Sequence, residues 1–425
     1  MKGSFKLTLM ALAISWAGLS GCTPSDTNST AETSTAEIDS QTEAANTTEK
    51  TVASTSDVPV QGVTDNEIVI GGVHDLSGIF AAFSAPAVKA ANQYFDEVNA
   101  AGGVHGRKIR YVVEDHGYQV PKAVQATNKL INRDKIFAML MNLGTPHNLA
   151  AFPIMDRNNV PSVMPLTFAK PMQSEGPFNR RYTLGSTYYD SMKAGINYLI
   201  DQDGVTKLCV MYIPSDFGEE THQAALDIAS ENPNVAVVEA TSHRPDETDF
   251  SGTLARLKDA DCGLVATSLG VRSTIGVVGK AKAMGWDNVK FIAPVTSFHS
   301  TVASAPGGAS EGLYAVSYWN DLNTRANEPA TKAWVDNYTQ VNGDAPSTGA
   351  VIGYLAARTF VAGLEAAGPE LNADTLNAGL ETVNFTDDVT GVNFEMNADN
   401  HVATKDTYLS QVQDGLWKPI TKVIE

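Results

Sequence analysis

The chain has 425 residues, a formal net charge of -18 at pH 7 and three cysteines. This length allows two or three domains, and the composition is that of a soluble globular protein. The acidic balance argues against nucleic acid as a partner, because surfaces that bind phosphate backbones are basic. It argues equally against electrostatic attachment to anionic lipid.

The first 22 residues have the order of features found in a secretion signal. Lys2 and Lys6 form a basic start, and residues 7–19 form an apolar run that is too short to span a bilayer comfortably. The run ends in LSGC, which resembles the bacterial lipobox, in which the cysteine is lipidated and becomes the new N-terminus. We therefore expect a lipoprotein signal peptide over residues 1–22, with lipidation at Cys22. The alternative is an ordinary signal peptide that happens to contain a cysteine.

The segment after the signal has the composition of a linker. Residues 23–62 are rich in Ser, Thr, Ala and Glu, and they cannot bury enough apolar surface to fold. We interpret them as a flexible tether that joins a membrane anchor to a folded body in the periplasm or at the cell surface. Thr23 stands where an Asp would retain a lipoprotein in the inner membrane, which favours the outer membrane. No other stretch has 18 consecutive apolar residues, so no transmembrane helix is expected.

The segment Glu67–Arg110 has the pattern of a strand, a polar loop and a helix. Ile68-Val69-Ile70 has the β-branched content of a buried strand, and the loop HDLSG follows it. The helix presents one apolar face through Val88, Ala91, Phe95 and Val98. In open α/β sheets, ligands bind in loops at the carboxyl ends of strands, which is where this loop lies.

The same alternation continues along the chain in two series. In the first series, further strands are predicted at 109–113, 136–141 and 161–164, with helices at 120–133 and 147–157. In the second series, strands are predicted at 207–213, 235–240, 262–267, 291–293 and 313–317. After Trp319 the pattern is mostly helical, with closing strands at 392–394 and 408–412. The sequence thus predicts an α/β protein of two doubly wound parallel-sheet lobes, with a ligand site between them.

The chemistry-bearing residues outside these loops indicate neither a catalytic nor a metal site. Cys209 and Cys262 lie on predicted strands in an oxidising compartment, where they could form a disulfide or stay as two separate buried thiols. We favour separate thiols. The carboxylates Asp75, Glu114 and Asp115 have no accompanying nucleophile or metal cluster. No metal spacing and no cofactor motif occurs, so we expect a protein that is not an enzyme and has no cofactor.

Several motifs occur in a fixed order along the chain. They are IVIGGVHDLSG, NAAGGVHGRKIRYVVEDHGY, YIPSDFGEE, DETDFSGTLARLK, SEGLYAVSYW and APSTGAVIGYLAARTFVAGLEAAG. From about Asn66 to the C-terminus, the chain resembles the type I periplasmic solute-binding proteins of the branched-chain amino acid (Leu/Ile/Val-binding protein) ABC transporter group. The resemblance implies two α/β lobes joined by a three-strand hinge, with lobe 1 at 66–185 and 322–400 and lobe 2 at 186–321 and 401–425. It also implies a monomer that closes on a small solute and delivers it to an ABC permease.

By position, the resemblance places ligand contacts in the loops of both lobes. In lobe 1 they are Ser77, Phe83, Tyr118, Leu143, Gly144, Thr145, Leu166, Thr167 and Phe168. In lobe 2 they are Phe217, Ser268, Leu269, Gly270, Arg272, Val295, Thr296 and Ser297. Some of these residues have a structural alternative: Ser77 and Thr145 could cap helices, the phenylalanines could be core residues, and Arg272 could be a surface cation.

Two positions depart from the pattern of branched-chain amino acid binders. In those proteins an acidic residue after the Pro of a late loop holds the ligand ammonium, whereas Val295 and Thr296 stand here. A Thr that meets the ligand carboxylate is replaced by Phe168. The expected ligand is a small organic solute, either amino acid-like or an apolar or aromatic organic acid or amide. Because a buried ammonium without a carboxylate partner is costly, we favour the acid or amide over Leu, Ile or Val. The alternatives to a transport subunit are a ligand-sensing module for a membrane receptor and, less favoured, an envelope enzyme.

Overall fold

The computed structural model describes residues 59–424. In this range the strands are β1 (Glu67–His74), β2 (Lys108–Asp115), β3 (Ala138–Leu140), β4 (Ser162–Val163), β5 (Arg181–Tyr182), β6 (Lys207–Tyr212), β7 (Ala236–Ser242), β8 (Leu264–Ser268), β9 (Lys290–Ala293), β10 (Tyr314–Ser317), β11 (Asn384–Thr386), β12 (Asn393–Glu395), β13 (Thr407–Gln413) and β14 (Leu416–Ile424). The α-helices are α1 (Ala81–Ala100), α2 (Val120–Asn132), α3 (Thr145–Arg157), α4 (Pro171–Ser174), α5 (Tyr188–Asp203), α6 (Asp216–Glu231), α7 (Ser251–Asp259), α8 (Val271–Ala283), α9 (Ser300–Ala303), α10 (Pro329–Asn342), α11 (Thr348–Ala367) and α12 (Ala373–Leu380).

The strands form two large sheets, one for each lobe. The first sheet has the order β2-β1-β3-β4-β5, and its pairs are parallel. The second has the order β14-β13-β10-β9-β8-β6-β7, and it is parallel from β10 to β7. β13 and β14 extend the second sheet as antiparallel strands. The predicted α/β fold with two parallel sheets is therefore confirmed.

Three crossover segments join the two sheets and lie side by side. They follow β5, β10 and β12, and they contact one another through backbone and side-chain hydrogen bonds. Ala403 N donates to Thr183 O over 2.8 Å, and Tyr318 Oη donates to Ser186 O over 2.6 Å. Together these segments are the three-strand hinge that the motifs predicted.

Close packing of α11 on α1 fixes the position of the first helix over the sheet. A Cβ atom at Gly349 would lie 2.0 Å from Phe83 O, and one at Gly353 would lie 2.1 Å from Ala87 O. Glycine is therefore needed at both positions for the two helices to approach so closely. Among the described residues, α11 is the one helix long and apolar enough to cross a membrane, but 72% of its apolar window is buried in the fold. It is a core helix that holds α1 against β1.

The folded unit begins earlier than the predicted end of the tether at residue 62. Gln61 Nε2 donates a hydrogen bond to Ile136 O over 2.9 Å, and Val69 N donates to Gly62 O over 2.8 Å. Residues 59–62 therefore pack beside β1, because their backbone pairs with it. The predicted signal peptide, the predicted lipidation site Cys22 and the predicted tether up to residue 58 lie outside the described residues.

The two cysteines of the folded unit form a disulfide. Cys209 on β6 and Cys262 just before β8 have Cα atoms 5.8 Å apart, and both side chains are buried. The structure thus has the bonded alternative, and our preference for separate thiols is wrong. The cause is the strand order: β6 pairs directly with β8, which brings the cysteines together.

Candidate functional site

A narrow cavity lies between the lobes, at the carboxyl ends of the strands of the first sheet, with about 370 Å³ of empty space including the part open to solvent. Its wall consists of Phe80, Phe83, Tyr118, Leu143, Gly144, Thr145, Leu166, Thr167 and Phe168 from lobe 1, with Tyr188, Phe217 and Thr296 from lobe 2. Six of these side chains are aromatic, and none of the twelve carries a formal charge. We call this space the inner cavity.

The structure brings ten of the sequence-predicted contact residues together around the inner cavity. They are Phe83, Tyr118, Leu143, Gly144, Thr145, Leu166, Thr167, Phe168, Phe217 and Thr296. Their role as ligand contacts stays a prediction. Sequence reasoning missed Phe80 and Tyr188. Phe80 lies in the same strand-end loop as Ser77, so its place in that loop was a usable signal, whereas Tyr188 lies outside the predicted strand-end loops.

The other predicted contacts lie elsewhere. Ser77, Gly270 and Arg272 line a wider space at the mouth of the cleft. Four more are fully buried in lobe 2: Ser268, Leu269, Val295 and Ser297. The Ser268 hydroxyl donates to Thr221 Oγ1 over 2.6 Å, away from the inner cavity. The role of these four residues as ligand contacts stays a prediction.

Asp75 orders the loop that carries Phe80. Its carboxylate is fully buried, and it accepts hydrogen bonds from Gly78 N over 2.6 Å and from Phe80 N over 2.8 Å. These bonds satisfy backbone N–H groups that precede α1 and have no partner within a helix. The carboxylate that sequence analysis considered for catalysis therefore has a positioning role beside the cavity.

A pair of hydroxyl groups marks the polar end of the inner cavity. Thr145 Oγ1 and Thr167 Oγ1 are 2.7 Å apart, so one hydroxyl donates to the other, and the Thr167 side chain also hydrogen-bonds the Tyr188 phenol. Thr145 is the first residue of α3, where the helix dipole favours negative charge. Gly144 before it has a positive φ of 94°, a conformation that glycine adopts without strain. This end of the cavity can bind a carbonyl or carboxylate oxygen.

Aromatic rings from both lobes form the rest of the wall. The Phe80 and Tyr118 ring centroids are 4.8 Å apart, those of Tyr188 and Phe217 are 5.0 Å apart, and those of Phe168 and Tyr188 are 5.8 Å apart. Burial raises the pKa of the Tyr118 and Tyr188 phenols, so both are neutral at pH 7. The wall is suited to an apolar or planar group of a ligand, because contacts with aromatic rings at such distances stabilise binding.

Buried histidines support the cavity wall from behind. His116 stacks on His147 with ring centroids 4.3 Å apart. His116 Nδ1 accepts a hydrogen bond from Tyr118 N, so Nε2 carries the hydrogen and donates to Leu143 O over 3.1 Å. Burial lowers the pKa of His116, and it lowers the pKa of His147 to about 4 and that of His74 to about 3. The three side chains are neutral at pH 7.

Acid should destabilise the protein through these histidines. The folded-state pKa of His147, about 4, lies below its ordinary value of 6.5. Between these values the unfolded chain binds a proton that the folded chain does not, so the free energy of unfolding falls as the pH drops below 6.5. One such group contributes at most about 1.4 kcal/mol per pH unit. Urea unfolding at a series of pH values should show this slope reduced in His147→Gln relative to the wild type. An equal slope in the two proteins would contradict the assignment.

A two-lobed α/β protein with a cavity in its cleft has the architecture of a solute-binding protein. A family model described as periplasmic binding protein matches residues 67–416. The chain belongs to this family, as its motifs predicted. The Leu/Ile/Val-binding protein of Escherichia coli K12 is 24% identical over 271 residues, which cover 63% of this chain and 72% of that protein.

Solved structures of the same class share the fold. A fatty acid ABC transporter substrate-binding protein from Thermomonospora curvata superposes with a TM-score of 0.77 and 24% identity, covering 86% of this chain and 94% of that one. An ABC transporter solute-binding protein from R. palustris in complex with benzoate has a TM-score of 0.75 and 19% identity, covering 84% and 97%. These likenesses confirm the type I periplasmic binding protein fold.

Proposed function

We propose that this protein is the solute-binding subunit of an ABC importer for a compact organic solute with an apolar or aromatic body and one polar end. The solute would be a carboxylic acid or an amide rather than an amino acid. The observation that carries this proposal is the wall of the inner cavity, with six aromatic side chains and no formal charge among its twelve residues. Closure of the lobes over the solute would signal the permease.

The cavity lacks the group that an α-amino acid requires. A buried ammonium needs a carboxylate or several acceptor oxygens, since its desolvation is otherwise costly. The carboxylate of Asp75 is buried nearby, but it accepts the N–H groups of its own loop. Val295 is fully buried, and Thr296 supplies only a hydroxyl. The curated relative from E. coli is a Leu/Ile/Val-binding protein, so this chain would differ from it in ligand class.

The polar groups of the cavity are suited to one oxygen-rich end of a ligand. The Thr145–Thr167 hydroxyl pair lies at the start of α3, and both side chains line the cavity. On the opposite lobe, Thr296 Oγ1 is buried without a hydrogen-bond partner among the described residues. A buried polar atom is normally paired, so this hydroxyl supports the presence of a ligand oxygen or amide in the closed cleft.

We further propose that the protein acts as a monomer without a cofactor, is not an enzyme, and is anchored by lipid at Cys22. The support for the anchor is the order of the basic start, the apolar run and LSGC in residues 1–22. Thr23 favours the outer membrane over the inner one. Metabolic labelling with a radioactive fatty acid should mark the wild-type protein and leave Cys22→Ser unlabelled; equal labelling of the two would contradict the anchor.

Removal of the Thr145 hydroxyl tests the proposed polar end of the site. Thr145→Val should weaken binding of benzoate about tenfold, because a hydrogen bond to a charged group contributes about 1.5–3 kcal/mol. Thr221→Val is a matched control, since Thr221 pairs with Ser268 in a similar buried hydroxyl pair outside the cavity. Isothermal titration calorimetry measures both. Equal affinities of Thr145→Val and the wild type for benzoate would show that the ligand oxygen lies elsewhere.

A further inference from the structure

The cleft between the lobes contains a second compartment beside the inner cavity. This outer chamber has a volume of about 1650 Å³, including the part open to solvent. The exposed guanidinium group of Arg272 lies at its edge. Apolar side chains from both lobes line it: Leu76, Ile79, Phe250, Val271 and Ile275. Its size and its mixed lining distinguish it from the inner cavity.

Phe80 lies at the boundary of the two compartments. Phe80 lines the inner cavity, whereas its chain neighbours Ile79 and Ala81 line the outer chamber. The Phe80 ring packs edge-on against Phe217 of the opposite lobe, with centroids 6.3 Å apart. Hydrogen bonding of Phe80 N to Asp75 fixes the backbone from which the ring projects. Only 7% of Phe80 is exposed, so its ring fills the boundary.

We propose that Phe80 and Phe217 form an aromatic gate that closes the inner cavity from the outer chamber and limits the length of the ligand. The two rings belong to different lobes, so the gate depends on the closed arrangement of the lobes. With the gate in place, a ligand must fit within the inner cavity. Without the Phe80 ring, the two compartments join into one elongated site.

The lining of the outer chamber determines which longer ligands would bind once the two compartments are joined. Its apolar residues are suited to a hydrocarbon chain, and Arg272 is suited to a terminal carboxylate. The acidic residues Asp246 and Glu247 lie at the same edge of the chamber. Asp246 Oδ1 is 3.4 Å from Arg244 Nε, and Glu247 Oε1 is 3.0 Å from His243 Nδ1. An aromatic carboxylate with a flexible chain, such as 4-phenylbutanoate, would then extend across both compartments. This consequence for ligand length rests on the proposed function, whereas the seal itself does not.

The seal is tested without any ligand, through a thiol placed inside the cavity. Thr145→Cys is introduced into the full chain, with Cys22→Ser so that the introduced cysteine is the one residue outside the Cys209–Cys262 disulfide that can react. Its reaction with methyl methanethiosulfonate is followed by mass spectrometry. Adding Phe80→Ala should raise the reaction rate about tenfold, which corresponds to ~1.4 kcal/mol. Phe80→Leu should give a smaller rise, and it serves if the alanine variant does not fold. Ile79→Ala, the matched control in the outer chamber, should leave the rate unchanged.

Small-angle scattering separates the gate from a general opening of the lobes. A faster reaction at an unchanged radius of gyration supports the gate. An unchanged rate in both Phe80 variants, or a rise that is accompanied by a larger radius of gyration, overturns it.

Ligand length is tested in the same proteins with Thr145 restored. The wild type should bind benzoate and exclude 4-phenylbutanoate, and Phe80→Ala should bind 4-phenylbutanoate. Failure of every protein to bind benzoate would count against the proposed ligand class alone, because the thiol experiment judges the gate separately. Equal binding of 4-phenylbutanoate by the wild type and Phe80→Ala would show that the ring does not limit ligand length.

Discussion

The double substitution Cys209→Ser/Cys262→Ser should lower the free energy of unfolding by about 4 kcal/mol. The disulfide closes a loop with a sequence separation of 53 residues, and closure of such a loop removes much of the entropy of the unfolded chain. The loop contains α6, which carries Phe217 of the inner cavity. Urea unfolding of the full chain, with Cys22→Ser in both proteins, measures the difference.

Reduction of the wild-type disulfide provides the control for the serine substitutions. The reduced protein should unfold at about the same urea concentration as the double variant, because both lack the cross-link. A loss below about 1 kcal/mol in both, the size of an ordinary point substitution, would show that the unfolded loop is already constrained without the disulfide.

The substitution Asp75→Ala should destabilise the protein by about 3 kcal/mol, since hydrogen bonds to charged groups contribute about 1.5–3 kcal/mol each. The variant leaves Gly78 N and Phe80 N without their acceptor at the start of α1. The same change should weaken benzoate binding, because Phe80 is part of the cavity wall and loses its fixed backbone position. Thermal unfolding with and without benzoate measures both effects.

Asp96→Ala is the matched control for Asp75→Ala, because Asp96 is an exposed carboxylate on α1, the helix that follows the Asp75 loop. It should change the melting temperature little, as most exposed substitutions do. Asp75→Asn keeps one acceptor oxygen and should lie between the two. If Asp75→Ala and Asp96→Ala unfolded at the same temperature, the loop would be held by other contacts than the carboxylate.

The fold could be predicted well from sequence where a strand and a helix alternate with short loops. Ile68-Val69-Ile70 and the apolar face of α1 belong to β1 and α1 within a few residues of the predicted bounds. β14 was not predicted, because Leu416–Ile424 contains Pro419 and charged residues that mask its pattern. It forms through antiparallel pairing with β13, a tertiary contact that no local pattern contains.

The candidate site could be predicted more fully in lobe 1 than in lobe 2. In lobe 1, the loops after β1, β3 and β4 meet at one edge of the first sheet, so placement at a strand end was enough. In lobe 2, β8 is buried on both faces, and its sequence LVATS shows no alternation that would tell which side chains face the cleft. Ser268 therefore pairs with Thr221 in the core, although it lies at a strand end.

The contact between Phe80 and Phe217 across the cleft could not be assigned from sequence. Phe80 contacts Phe217 only because the hinge brings the lobes together, and the two residues are far apart in the chain. The disulfide has the same origin, since it depends on β6 and β8 being neighbours in the sheet. Such contacts follow from strand order and lobe arrangement, which a single sequence does not determine.

The most direct measurement of the central claim compares benzoate with leucine in a thermal-shift experiment on the full chain with Cys22→Ser. A ligand at 100 times its dissociation constant adds about 2.7 kcal/mol of stability, which is easily detected. We expect benzoate or a related aromatic acid to raise the melting temperature and leucine to leave it unchanged, because the inner cavity has no formal charge to pair with an ammonium. A rise with leucine and none with aromatic acids or amides would contradict the account and identify the protein as an amino acid binder.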